Sequence, residues 1–253
     1  MKPALSFRQP QYPKSWQHFT SGEIILDRVN QAIAPWCSKF FGYYLLKIGA
    51  LSAAIDCSNS SIKNQLSLSG ESESCDVIAD VDDLPLLEHS VDVCVLSHTL
   101  EFSLDPHHVV REANRVLIPN GYLVITGFNP FSLAGLNKLI PYRRKKTPWC
   151  ERFFSPMRVK DWLQLMGYEI LEDRRFLHSM LTSGMAPGRF KSIGQQFCEN
   201  YLTSFGSIYF IVAKKRVLPL TPIKPKWKLS PKFSPVNVTT MNTPSIKITF
   251  HKK

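Results

Sequence analysis

The chain is first narrowed by what it does not have. Its six cysteines, at 37, 57, 75, 94, 150 and 198, form no Cys-x-x-Cys pair and no metal-like cluster with histidine. That spacing excludes a zinc framework and gives no disulfide pattern, so no metal is expected and a reducing compartment is implied. No stretch approaches the ~18 apolar residues of a membrane span. The opening MKPALSFRQPQYPK has no continuous apolar core of the kind a secretory leader carries. A cytoplasmic protein without a membrane span is the expectation. Helix-turn-helix, zinc and RNP-like patterns are missing too, which leaves a dedicated nucleic-acid-binding protein without support. Residues 217–253 lack acidic side chains altogether. Seven lysines and six prolines stand there among Ser and Thr, and most of the net charge of +11 lies in that stretch. Such a composition cannot bury enough apolar surface to offset chain entropy, so a disordered tail is predicted. It is either simply solvated or a weak electrostatic attachment to nucleic acid or an anionic surface. Within it, Ser245 to Phe250 alternates weakly and is a candidate for a short added strand.

What remains is enough for a proper core: 253 residues, 44% of them hydrophobic, suit one domain with appendages. One α/β unit reads clearly. Val91 to Leu96 is apolar and β-branched, broken only by Asp92, as a strand covered on both faces would be. Asp105-Pro106 supplies a helix cap and a first-turn proline, and Val109, Ala113 and Val116 follow at helical spacing. Pro119-Asn120-Gly121 predicts a turn, and Tyr122 to Thr126 the next buried strand. Upstream, residues 1–19 read as an irregular N-terminal arm. Thr20 with Glu23 has capping-box spacing for a helix that Pro35 interrupts, and Tyr43 to Ile48 reads as the first buried strand. Downstream, Ser155-Pro156 starts a helix closed by Gly167. Strands are predicted at 168–171 with 175–177 and at 207–213, and a short helix at 195–202.

The order of these signals resembles a known family. Asp80-Val81-Asp82-Asp83-Leu84-Pro85, then His98-Thr99-Leu100-Glu101, then Arg115 to Gly121 as Arg-Val-Leu-x-Pro-x-Gly, resemble the class I S-adenosylmethionine-dependent methyltransferases of the type 11 family. With Leu45 to Gly49 and Gly127-Phe128-Asn129-Pro130, the chain is similar to an uncharacterised bacterial YafS-like subgroup over residues 20–216. The resemblance implies a Rossmann-like α/β fold: a mostly parallel, doubly wound sheet with an antiparallel last strand. The stretch from Gly49 to Asp80 is short and holds no long amphipathic helix, so the first half of that sheet is expected to be shortened. The methyltransferase-like domain is then 20–216, between the arm and the tail.

The resemblance also implies a cofactor, S-adenosylmethionine, and positions for it. Gly49 stands where the family carries a glycine-rich loop, although Lys47 holds the usual acidic position and only one glycine remains. Gly49 is therefore either an altered cofactor loop or an ordinary strand-to-loop glycine. Glu71 is the candidate for the ribose hydroxyls, with Asp56 the other. Asp80 and the amide of Val81 match the adenine position, where an acceptor beside a backbone donor complements the ring edge; a loop carboxylate capping its own turn is the alternative. Ser97 and His98 follow the strand at 91–96, on the sheet edge where α/β folds bind ligands. His98 is the candidate general base, or else lines the pocket. Asn129-Pro130 reads as a helix cap for 131–139, and Phe128, Asn129 and Phe131 also border the acceptor side. Arg143 and Arg144, in a run with Lys145 and Lys146, would receive an anionic acceptor or else form a solvated loop. The preferred reading is methyl transfer to an unidentified, possibly anionic acceptor. Its rival is a binding module that kept the fold and lost the cofactor loop.

Overall fold

The computed structural model describes residues 12–19, 21–70, 75–140, 142, 147–178, 181 and 205–217. By internal contacts the chain divides into two units, Met1–Leu218 and Pro219–Lys253, and every described residue belongs to the first. Its elements run α1 (Gly22–Cys37), β1 (Tyr44–Ile48), α2 (Ala50–Ala53), β2 (Asn64–Ser69), β3 (Val77–Ile78), β4 (Val91–Ser97), α3 (Pro106–Val116), β5 (Leu117–Phe128), α4 (Leu133–Leu136), α5 (Pro156–Leu165), β6 (Tyr168–Phe176) and β7 (Ile208–Lys215). Seven strands form one sheet in the order β3-β2-β1-β4-β5-β7-β6. Pairing is parallel from β3 through β5, and β7 runs antiparallel between β5 and β6. The first half is shortened as expected: α2 is a single turn and β3 is two residues long.

Local chemistry explains the central elements. Every residue of β4 is buried, Asp92 included. That carboxylate is tolerated because its Oδ2 accepts the Tyr43 and Tyr44 amides at 2.7 and 2.8 Å, tying the start of β1 to β4. Asp105 caps α3 by accepting from the amides of His107 and His108, with Pro106 in the first turn. Ser155 accepts from Arg158 to start α5, and Gly167, at φ 85°, closes it. The core lies in two layers, one on each face of the sheet. Leu46, Cys94, Leu96 and Ile125 pack with α3 and α5 through Val109, Ala113, Val159 and Trp162. Leu45, Val93, Val95 and Val124 pack with α1 through Ile25, Val29 and Ile33. Each such aliphatic side chain contributes about 1.5–3 kcal/mol when fully buried.

Four expectations are corrected. Pro35 does not end α1, which runs on to Cys37, because a proline in the last turn forfeits little helical bonding. The cap of that helix is Ser21, which makes no side-chain cap bond, and the capping box expected from Thr20 falls on a residue outside the described ones. Pro119 to Gly121 are no free turn but part of a bulge in β5, where the partner moves from Leu117 at Val91 to Tyr122 at Val93. The helix after β5 starts at Leu133 rather than 131, as one α turn that passes into 3-10 helix at Asn137–Leu139, and its cap is Ser132, whose Oγ accepts the Gly135 amide. Asn129 instead donates from Nδ2 to the Gly206 carbonyl at 2.9 Å, joining the end of β5 to the approach of β7. The helix expected at 195–202 and the strand at 245–250 lie outside the described residues. Within the expected irregular arm, Trp16–His18 form a turn of 3-10 helix, and Trp16 and Phe19 are buried.

Candidate active site

Because β1, β2, β3 and β4 are parallel, their carboxyl ends meet at one edge of the sheet. A cleft of about 280 Å³ opens there, lined by Tyr12, Ser69, Gly70, Asp80 and Val81. Ser69 and Gly70 come from the end of β2, and Asp80 and Val81 follow β3. Among the described residues, a side chain at Gly70 would meet only the Ala79 carbonyl, at 3.8 Å. Asp80 is exposed, and its Oδ1 already accepts the amide of Asp82 at 3.0 Å. The turn-capping role and the cleft position thus belong to the same carboxylate. Asp82 accepts the Ser103 hydroxyl at 3.0 Å. Burial pushes the Asp82 carboxyl up, and burial with the neighbouring Asp82 and Asp80 charges pushes the Tyr12 phenol well above its ordinary value. Tyr12 therefore lines the cleft as a neutral phenol, with Ser103 beside its hydroxyl.

Arginine and glutamate of α3 hold this loop in place. Arg115 donates to the Leu84 and Leu86 carbonyls at 2.9 and 2.8 Å and to both oxygens of Glu112, while Glu112 accepts the Leu84 amide. The arginine of the Arg-Val-Leu segment is thus a clamp on the chain that carries Asp80 and Val81.

At the end of β1, Gly49 adopts φ 95°, which disfavours any side chain, and a Cβ there would lie 2.9 Å from the Thr99 hydroxyl. Thr99 donates to the Ile48 carbonyl at 2.8 Å and so closes over the turn. Lys47 does not stand in the position of a cofactor-facing acid: its Nζ donates to the Ile55 carbonyl at 2.7 Å. Ser97 is removed from the cleft. Its amide donates to Ser52 Oγ at 2.7 Å and its hydroxyl meets Thr126 at 2.8 Å, both buried. Asp56 caps a turn by accepting the Ser58 amide, and its own amide donates to Asn30, away from the cleft lining. Glu71, Arg143 and Arg144 lie outside the described residues.

On the acceptor side, His98 is 1% exposed and adopts φ 51°. Its ring packs against Phe128 at 4.2 Å and against the edge of Trp16 at 5.4 Å. Phe128 is buried, whereas Phe131 is 68% exposed and Asn129 is engaged with Gly206. Among the described residues, no group of His, Cys, Asp or Glu could hold a metal ion, and no helix is long and apolar enough to cross a membrane. Sequence reasoning missed Tyr12, Ser69 and Gly70. Only the glycine at the end of β2 offered a signal.

A sheet of this order with a cleft at the ends of β2 and β3 defines a class I methyltransferase architecture. Comparisons agree. The model of the type 11 "Methyltransferase domain" matches residues 37–125. The uncharacterised protein YafS of Escherichia coli is 39% identical over 221 residues, covering 87% of this chain and 88% of that one. The demethylmenaquinone methyltransferase of Chlamydia pneumoniae is 35% identical over 87 residues, 32% of this chain and 37% of that one. A SAM-dependent methyltransferase from Archaeoglobus fulgidus superposes with a TM-score of 0.54 at 19% identity, covering 75% of this chain and 94% of that one. The chain belongs to the type 11 methyltransferase family, in the group of YafS.

The described residues fit the nucleoside end of S-adenosylmethionine. The cleft volume lies at the lower end of small-ligand pockets, which run from ~300 Å³ upward, and it combines a glycine, a carboxylate and a neutral phenol. Around Gly49 the fit is tighter, since Thr99 already stands against the turn.

Proposed function

We propose that the protein transfers a methyl group from S-adenosylmethionine to an acceptor that approaches past Phe128. The observation that carries this reading is the cleft bounded by Ser69, Gly70, Asp80, Val81 and Tyr12, at the sheet edge where this fold binds its ligands. Asp80 would accept from the adenine amino group, and Tyr12 would donate to or stack beside the nucleoside. Gly49 and the closing Thr99 would bound the amino-acid end. The bound cofactor supplies an electrophilic methyl on a positively charged sulfur. The chain's part is then alignment and exclusion of water, which can supply much of the rate. The acceptor is proposed to be anionic, on the sequence Arg143-Arg144-Lys145-Lys146 that follows the acceptor-side segment. The basic tail is proposed to add weak attachment to nucleic acid or an anionic surface in a cytoplasmic setting.

Calorimetric titration with S-adenosylmethionine and S-adenosylhomocysteine tests the reading. Micromolar binding, about −8 kcal/mol, is expected, and Asp80→Ala should weaken it by roughly 1–3 kcal/mol. Silence up to millimolar ligand would leave the fold as a binding module without methyl transfer.

A further inference from the structure

A second polar constellation lies at the ends of β4 and β5, outside the cleft lining, and gathers two further groups around His98. His98 Nδ1 stands 3.7 Å from Glu101 Oε1, with both side chains fully buried. Glu101 is oriented by the Phe128 amide, which donates to its Oε1 at 2.7 Å. Tyr209 reaches the same place from β7. A side chain at Gly127 would lie 2.2 Å from the Tyr209 hydroxyl and 2.5 Å from Glu101 Oε1, so a glycine at 127 is what lets phenol and carboxylate converge. Yet both His98 nitrogens, Glu101 Oε2 and the Tyr209 hydroxyl are buried with no hydrogen-bond partner among the described residues. Each unpartnered group of this kind costs about 1–3 kcal/mol. Four in one cluster, on a residue held at positive φ, are what a preorganised site looks like before its ligand arrives.

The walls are aromatic. Phe128 lies against the imidazole on one side and the Trp16 indole meets it edge-on, with Phe19 packed on Trp16, Phe102 and Phe128. A flat ring therefore already stands over His98, and it belongs to the chain itself. We propose that this is the acceptor's proton-transfer centre and that it takes a flat, aromatic acceptor whose ionisable hydroxyl becomes the anion and whose ring displaces that of Trp16. The inference deepens the methyl-transfer reading and rests on it. The acceptor's hydroxyl proton passes to His98 Nε2, and the electron pair of the broken O–H bond stays on the acceptor oxygen. The positive charge gained by the ring is balanced by Glu101 beside Nδ1. Tyr209, whose phenol is held well above its ordinary value by burial and by Glu101, keeps its proton and donates to the new oxyanion. His98 and Tyr209 would be catalytic residues, and Glu101 a positioning residue.

The test uses the full chain and 4-nitrophenol as probe, in a buffer acidic enough that the free probe is colourless. Wild-type protein should convert bound probe to its yellow anion. His98→Gln should lose that band by about tenfold or more, equivalent to 1.4 kcal/mol, and Tyr209→Phe should weaken it several-fold. Trp16→Ala, checked for fold by circular dichroism, should bind the probe more tightly because the competing ring is gone. A band of equal strength in wild type and His98→Gln overturns the proposal, as does a folded Trp16→Ala that binds no better than wild type. S-adenosylhomocysteine calorimetry runs beside it. Heat without a yellow band removes this site alone, whereas a band without heat keeps the site and removes the methyl-transfer reading.

Discussion

Replacing Arg115 by alanine should show what the Arg-Val-Leu segment does. The guanidinium makes bonds to two carbonyls, Leu84 and Leu86, and pairs with Glu112 at 2.7 Å. Its side chain is 29% exposed, so solvent screens part of each interaction and allows water to replace some of it. Bonds to a charged group are worth about 1.5–3 kcal/mol each. With that discount the loss should come to roughly 2–4 kcal/mol in all. For a domain of this size one kcal/mol moves the melting temperature by roughly 2–4 °C, so a fall of some ~4–16 °C is expected. The loop from Asp80 to Leu86 would also lose its clamp, and S-adenosylhomocysteine binding should weaken several-fold. Arg115→Lys should recover little, since one ammonium cannot reach both carbonyls and the carboxylate in the fork geometry of a guanidinium. Differential scanning fluorimetry and calorimetry suffice. A melting temperature within about 2 °C of wild type, with unchanged ligand affinity, would refute the clamp.

Gly49→Ala should destabilise by about 1–3 kcal/mol through its positive φ and the close Thr99 hydroxyl; in a Gly49→Ala/Thr99→Ala double variant, chemical denaturation should show part of that loss restored. Lys47→Asp should not tighten S-adenosylmethionine binding, because Lys47 is engaged with the Ile55 carbonyl; tighter binding by titration would place Lys47 at the cofactor after all. Asp82 has its folded-state value raised by burial above that of the unfolded chain, so its contribution to stability is present at pH below the ordinary aspartate range and is lost as pH rises through the raised value. Asp82→Asn should therefore melt higher than wild type near neutrality and level with it in acid; a constant difference across that range would count against the assignment.

The parts of the fold legible in the sequence were those whose burial is continuous or periodic. β4 is apolar from end to end because both faces are covered, and α3 announces itself through Asp105-Pro106 and its repeating apolar face. β3 has two residues, too few for any period to show. The cap after β5 was misplaced because Asn129 makes only a local turn, its Oδ1 accepting the Phe131 amide while its Nδ2 reaches the Gly206 carbonyl, and the helix itself starts later, from Ser132. Lys47 looked like a charge in a cofactor loop because nothing in its neighbours reveals the Ile55 carbonyl that receives it. Of the cleft lining, Asp80 and Val81 were legible through the family resemblance of their loop. Tyr12 was not, for it sits in a Pro- and Gln-punctuated stretch with no helical or strand pattern.

Tyr12 and Trp16 belong to one short segment, yet one lines the nucleoside cleft and the other stands over His98, tethered through its indole N–H to the Leu51 carbonyl of α2. A ligand that moves either ring must act on the other through a few residues of backbone. If the proposed donor and acceptor sites are these two places, their binding is thermodynamically linked, and the factor by which donor alters acceptor affinity equals the factor by which acceptor alters donor affinity. The segment also precedes α1, so on that reading a change made between Tyr12 and Trp16 would reach both places.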